Sequence, residues 1–167
     1  MGMKYVIGID PGKSGAIAAL TPAGGVTLVE PLPIVGEGKG SRIDACKLHR
    51  DLDPGELASN CVLVVIERVG GHMGDAPSRI FEFGRSLGAV ESVIALLGIR
   101  HEYVEPQRWQ AALLAGHPRA TYSQRKKSAC VVASQMFPDA EVRRQYGDAM
   151  LIAEYARRRA HALNLFD

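Results

Sequence analysis

Residues 5–15 read Tyr5-Val6-Ile7-Gly8-Ile9-Asp10-Pro11-Gly12-Lys13-Ser14-Gly15. The apolar, β-branched run from Tyr5 to Ile9 has the pattern of a buried strand. It stops at a carboxylate, and a Pro-Gly turn follows. Burying an unpaired charge is expensive, so Asp10 at the tip of such a strand needs a cation, a hydrogen-bond cluster or open solvent. A phosphate-binding P-loop is excluded by spacing. That motif needs four residues between its first glycine and the Gly-Lys-Ser triplet, and here only three separate Gly8 from Gly12. A carboxylate facing the phosphate cradle would also be repulsive.

Outward from this stretch, Lys4 to Asp10 reads as the first strand, Ala16 to Leu20 as the second and Gly25 to Glu30 as the third. Short turns between successive strands predict an antiparallel meander. Residues 33–42 are rich in Gly and Pro and read as a mobile loop. A short helix is predicted over Asp44 to Leu52, with Asp44 as its N-cap. Cys61 to Ile66 is apolar without alternation, as in a strand buried on both faces, and it ends at Glu67. Gly70 to Asp75 reads as a loop. A long helix follows from Pro77 or Ser78 to Leu97, with Gly98 as its stop. His101 to Val104 is a further short strand. Pro106 to Leu114, Ser123 to Met136 and Gly147 to Ala162 read as helices. The order predicts an α/β fold, a mixed sheet covered on both faces, in one domain spanning residues 1–167.

The chain has 167 residues, 47% of them hydrophobic, enough for one real core. The net charge of +2 does not announce a nucleic-acid partner. The distribution says more, because basic residues gather late in the chain: Arg119, Arg125-Lys126-Lys127, Arg143-Arg144 and Arg157-Arg158-Arg159. Each cluster is either a solvated helix face or a phosphate-tracking surface. Cys46, Cys61 and Cys130 have no metal-binding spacing, which argues for a reducing compartment and against structural zinc. No charged-then-apolar leader opens the sequence, and no apolar run approaches the roughly 20 residues of a membrane span. The expectation is a soluble, cytoplasmic protein with no membrane partner.

Asp10 and Glu67 each end a strand. If those strands are parallel neighbours, both carboxylates emerge at one end of the sheet. Asp148 stands in the first turn of the last helix, where a helix N-terminus favours negative charge. Three acids converging without a basic partner would repel one another, and hard oxygen donors suit magnesium or manganese.

These residues resemble the RuvC-type Holliday junction resolvases, and phage-encoded members most of all. Ile7-Gly8-Ile9-Asp10-Pro11-Gly12 with Ser14 to Ala18 resembles their first metal-site strand, and Val64 to Val69 their second. Phe83 to Gly88, Val104 to Trp109 and Gly147 to Ala153 resemble three later blocks, in order along nearly the whole chain. The resemblance implies a five-stranded RNase H-like fold, a homodimer and two-metal cleavage of four-way-junction or other branched DNA. It makes Asp10, Glu67 and Asp148 the catalytic metal ligands for two Mg²⁺ or Mn²⁺ ions. It places DNA contacts at Lys13, Arg108, Arg125, Lys126 and Lys127, and in the loop after Glu67, where the family can carry a stacking aromatic and this chain offers His72 or Met73. It puts the dimer interface on the helix bearing Phe81, Gly84, Gly88 and Ser92. The chain departs from the family at Gln145, three residues before Asp148, where another acid or a histidine is common; Asp139 and Glu141 lie upstream without a spacing that places them in the site. Competing readings are a nuclease for flaps, forks or RNA–DNA hybrids, and a module that binds junctions without cutting. An actin-like or sugar-kinase ATPase needs a duplicated domain for which the chain is too short.

Overall fold

A computed structural model describes residues 2–52, 57–68 and 76–167. Seven strands and six helices follow in the order β1 (Tyr5–Ile9), β2 (Ala16–Leu20), β3 (Val26–Pro31), β4 (Ile34–Val35), β5 (Arg42–Ile43), α1 (Ala45–Leu52), α2 (Leu57–Asn60), β6 (Cys61–Glu67), α3 (Pro77–Leu96), β7 (His101–Val104), α4 (Pro106–Leu113), α5 (Tyr122–Met136) and α6 (Gly147–Ala162). The main sheet has five strands in the order β3-β2-β1-β6-β7. β1 to β3 form the antiparallel meander, and β1, β6 and β7 run parallel. This is a mixed α/β sheet of RNase H-like topology, as expected.

Strand alternation divides the core in two. Val6, Leu63 and Val65 point to the side where α4, α5 and α6 pack, with Ala16, Ala18 and Leu20 beside them. Ile7, Ile9, Val64 and Ile66 point to the other side, against Leu48 and Leu52 of α1 and Val90, Val93 and Ile94 of α3. β6 is buried on both faces, which is why its sequence does not alternate. Each of these fully buried aliphatic side chains contributes about 1.5–3 kcal/mol.

The tightest packing lies between β1 and α6. A Cβ on Gly8 would stand 2.1 Å from the Ala153 backbone nitrogen and 2.6 Å from the Ala149 carbonyl oxygen. The side-chain-free face of Gly8 therefore admits the helix backbone itself, and α6 presents Ala149, Ala153, Ala156 and Ala160 to the core. The C-terminal half of α6 is tied down by charge. Buried Glu154 accepts hydrogen bonds from Arg157 Nε at 2.7 Å and Arg158 Nε at 2.8 Å, and Arg157 Nη1 donates to the Pro22 carbonyl in the β2–β3 turn at 3.1 Å.

Two local expectations change. Residues 33–42 are not irregular throughout: β4 and β5 form a small hairpin, with Ile34 paired to Ile43. Ile43 is buried in the α1–α3 side of the core, so one apolar anchor organises a segment whose Gly and Pro content reads as loop. The one-turn helix α2 was not anticipated, since four residues are too few for a periodic signal. Asp44 caps α1 as predicted, its Oδ1 accepting from Lys47 N at 2.9 Å. Gly98, at φ +65°, ends the long helix.

Two outcomes follow from this packing. Gly8→Ala is expected to lower unfolding free energy by about 3 kcal/mol or more in urea titration, because the clash is with backbone that cannot rotate away. Glu154→Gln is expected to cost about 1–2 kcal/mol at neutral pH, discounted for the partial exposure of the arginines. Burial, the largest influence, opposes ionisation of Glu154, yet its two arginines outweigh it and hold the carboxyl below its usual value. A depressed carboxylate stabilises fully above its unfolded pKa and ceases to as pH falls through its folded one. The gap between the two proteins should therefore be full at pH 7 and close in strong acid.

Candidate active site

Alternation places Asp10 on the face of Val6 and Gly8, and Glu67 on the face of Leu63 and Val65. The parallel register pairs Ile9 with Ile66, so the next residues, Asp10 and Glu67, emerge side by side. The turn after Asp10 folds back tightly. Asp10 N donates to the Ala16 carbonyl at 3.0 Å, and a Cβ on Gly15 would fall 2.0 Å from the Asp10 carbonyl oxygen. The carboxylate is thereby held at the sheet edge, with Gly12 N 3.3 Å from its Oδ1. The close β1–α6 contact brings Asp148, in the first turn of α6, to the same edge. All three acids are buried, with 6–8% of each residue exposed.

The first surprise is Lys126. Its ammonium lies 3.1 Å from Asp10 Oδ2 and 2.5 Å from Asp148 Oδ2, spanning the two carboxylates. The sequence reading of acids without a basic partner is thus corrected, and Lys126, expected at a DNA phosphate, is inside the acid cluster. Helical phase carried the signal: Lys126 stands three and seven residues before Ala129 and Ala133, both buried against α6. Burial works against the ammonium, but the charges of Asp10 and Asp148 and their hydrogen bonds outweigh it and raise its pKa. Lys126 is a firmly protonated cation.

Glu67 has a different partner. Its Oε1 accepts a 2.7 Å hydrogen bond from the indole N–H of Trp109, a core residue on α4 only 1% exposed. A buried indole is a donor in need of an acceptor, and that requirement was the available clue. Glu67 Oε2 has no hydrogen-bond partner among the described residues. Burial first, and then the charge of Asp10, push the Glu67 carboxyl up to about 8, against the pull of Trp109. The site holds more negative charge than Lys126 neutralises.

The other candidates divide. Lys13 pairs with Glu82 on α3, which also binds Arg85. Arg108 and Lys127 are exposed and Arg125 half-buried, and among the described residues none of the three is ion-paired. Arg125 leans on the Arg119 carbonyl at 3.3 Å and acts on Asp148 through its charge. By contrast Arg143 pairs with Glu141, Arg157 and Arg158 with Glu154, and Arg159 with Glu102, so those basic clusters serve internal contacts. Gln145 is exposed and lines a cavity of about 400 Å³ with Lys13, Ser14, Glu30, Lys47 and Asp51; none of the three site acids lines it. His72 and Met73 lie outside the described residues. Among the described residues, no three or more His, Cys, Asp and Glu side chains are disposed to hold one metal ion together. Asp10 and Glu67 offer hard carboxylate oxygens, the donor type that suits a divalent cation such as magnesium.

No known protein-family model matches the sequence, nor does any curated protein. Solved structures do. RuvC of T. thermophilus in complex with Holliday junction substrate superposes with a TM-score of 0.68 at 16% identity, covering 98% of this chain and 97% of that one. The chain has the RuvC fold. A second Thermus thermophilus RuvC structure gives a TM-score of 0.55 at 18% identity over 96% of both chains. The yeast mitochondrial Holliday junction resolvase Ydc2 gives 0.58 at 17% identity, covering 98% of this chain and 81% of that one. At such identities the likeness establishes the RuvC fold, and the chemistry has to be argued from the side chains. Among the described residues no helix is long and apolar enough to cross a membrane.

The indole–carboxylate bond can be probed directly. Trp109→Phe keeps most of the apolar volume and deletes the donor to Glu67. A loss of about 2–3 kcal/mol in chemical denaturation is expected, from the shrunken side chain and the unpaired acceptor together.

Proposed function

We propose that the chain is a metal-dependent, structure-selective endonuclease that hydrolyses phosphodiester bonds in Holliday junctions or related branched DNA, a crossover junction endodeoxyribonuclease. The observation that carries this reading is the convergence of Asp10, Glu67 and Asp148 at one sheet edge of a RuvC fold. Magnesium or manganese bound there would supply an activated water and neutralise charge on the scissile phosphate. In this reading Asp10 and Glu67 would hold such a cation. Asp148 sits beside them through the β1–α6 contact, and Trp109 fixes the rotamer of Glu67.

Arg108 begins α4 and Arg125 and Lys127 lie in the first turns of α5, so positive charge with no acidic partner among the described residues stands on the helices that contribute Trp109 and Lys126 to the site. Such side chains position a phosphate backbone and read its shape, not its sequence. A homodimer through α3 completes the proposal. Ile80, Phe81 and Leu96 of that helix are exposed, and Gly84 and Gly88 have open space where a Cβ would project. A two-fold dimer would set two sites on opposed strands of a four-way junction.

One observation favours a second reading, a module that grips junctions without cutting. Lys126 already neutralises part of the acid cluster. Labelled four-way junction, flap, fork and plain duplex, incubated with and without magnesium or manganese, separate the two. Cleavage of the branched substrates that requires metal, and that drops by about 100-fold or more in Asp10→Asn, is expected. Tight junction binding with no product in either metal would instead establish the binding module.

A further inference from the structure

Phe81, Tyr103 and Tyr122 are the phenylalanine and tyrosine side chains left exposed among the described residues. Phe81 stands on α3, with the Arg85 guanidinium 6.0 Å from its ring centroid, and Tyr103 packs edge-on against His101. Tyr122 is placed differently. It opens α5, the helix that carries Lys126, and 62% of it is exposed. Residues four apart on a helix share a face, so the ring sits one turn from Lys126 along the same stripe. That stripe runs through Ala133 and Ala129 in the core to Lys126, and at Tyr122 it comes out into solvent. The Lys126 ammonium lies 5.9 Å from the Tyr122 ring centroid. The backbone beneath the ring is held by a capping box: Thr121 Oγ1 accepts from Gln124 N at 3.2 Å, and Gln124 Oε1 accepts from Thr121 N at 3.1 Å. Arg119, Arg125 and Lys127 flank it in sequence.

We infer that Tyr122 is a stacking platform for an unpaired nucleobase at the branch point of the DNA. This deepens the branched-DNA reading and rests on it. An exposed ring contributes little to folding, and a phenol among basic side chains has the composition that grips single-stranded nucleic acid. The cations track the backbone, and the ring takes the face of a base. In continuous duplex every base is already stacked on its neighbours, so such a ring finds no free face. At a branch, pairing and stacking are interrupted, and a base is available. Tyr122 would thus distinguish branched from plain DNA without reading sequence, since every base has a π-face. Because the ring projects from a capped helix, little ordering remains to be done when the base arrives.

The test compares binding of a labelled four-way junction with that of plain duplex, with Ca²⁺ replacing Mg²⁺ to hold the strands uncut. Tyr122→Leu keeps an apolar side chain and removes the π-face; Tyr122→Phe keeps the face and removes the hydroxyl. The residue is exposed, so both variants should fold, which circular dichroism checks. Tyr122→Leu is expected to weaken junction binding about 10-fold while leaving duplex binding unchanged, and Tyr122→Phe to restore the junction affinity. Unchanged junction binding in Tyr122→Leu would overturn the inference. An equal loss on junction and duplex would also overturn it, since the residue would then serve the backbone contacts or the fold. Failure of Tyr122→Phe to restore affinity would do the same, by assigning the effect to the hydroxyl. If the unaltered chain bound duplex as tightly as junction, the branched-DNA reading itself would fall, and the inference with it.

Discussion

The structure turns on how closely a helix backbone can approach a strand backbone at Gly8. With no Cβ in the way, α6 lies directly on β1, and its N-terminal turn reaches the tip of that strand. Asp148 and Lys126 inherit their positions from this contact. Asp148 meets the edge where Asp10 and Glu67 emerge, and α5, packed along α6, brings Lys126 between them. A larger residue at position 8 would not need to touch a carboxylate to disperse the cluster, because it would lift the helix that carries one of the acids and supports the lysine.

A second organising principle is the sorting of charge. The late part of the chain is rich in arginine, yet most of that charge is spent within the fold. Glu154 binds two arginines and through one of them pins α6 to the β2–β3 turn. Glu141 binds Arg143, and Glu102 binds Arg159 and, at 3.8 Å, Arg100. Among the described residues, the basic side chains left without an acidic partner include Arg108, Arg125 and Lys127, on the helices that border the acid cluster. Such an arrangement lets a modest net charge coexist with a local field suited to a polyanion.

Much of this was legible in the sequence because the fold rests on local periodicity. The uninterrupted run Cys61 to Ile66 announces a strand covered on both faces, and the acids at residues 10 and 67 mark the two strand tips. The site was less legible where it depends on tertiary phase. Lys126 reads as one of three adjacent basic residues, and only the position of Ala129 and Ala133 on the buried stripe distinguishes it from Lys127. The bond between Trp109 and Glu67 links residues 42 apart in sequence, so it appears only when α4 closes over β6. The hairpin of β4 and β5 was hidden for the opposite reason: its glycines and prolines dominate the local signal, while a single buried Ile43 supplies the order.

Trp109 is the chain's one tryptophan, and it donates its indole hydrogen to a carboxylate of the site. Indole emission is sensitive to a charge held at that nitrogen. The protein therefore carries its own optical probe, with no competing fluorophore of the same kind, placed against the Glu67 carboxyl. What the fold uses to orient a side chain also makes the state of that side chain visible from outside.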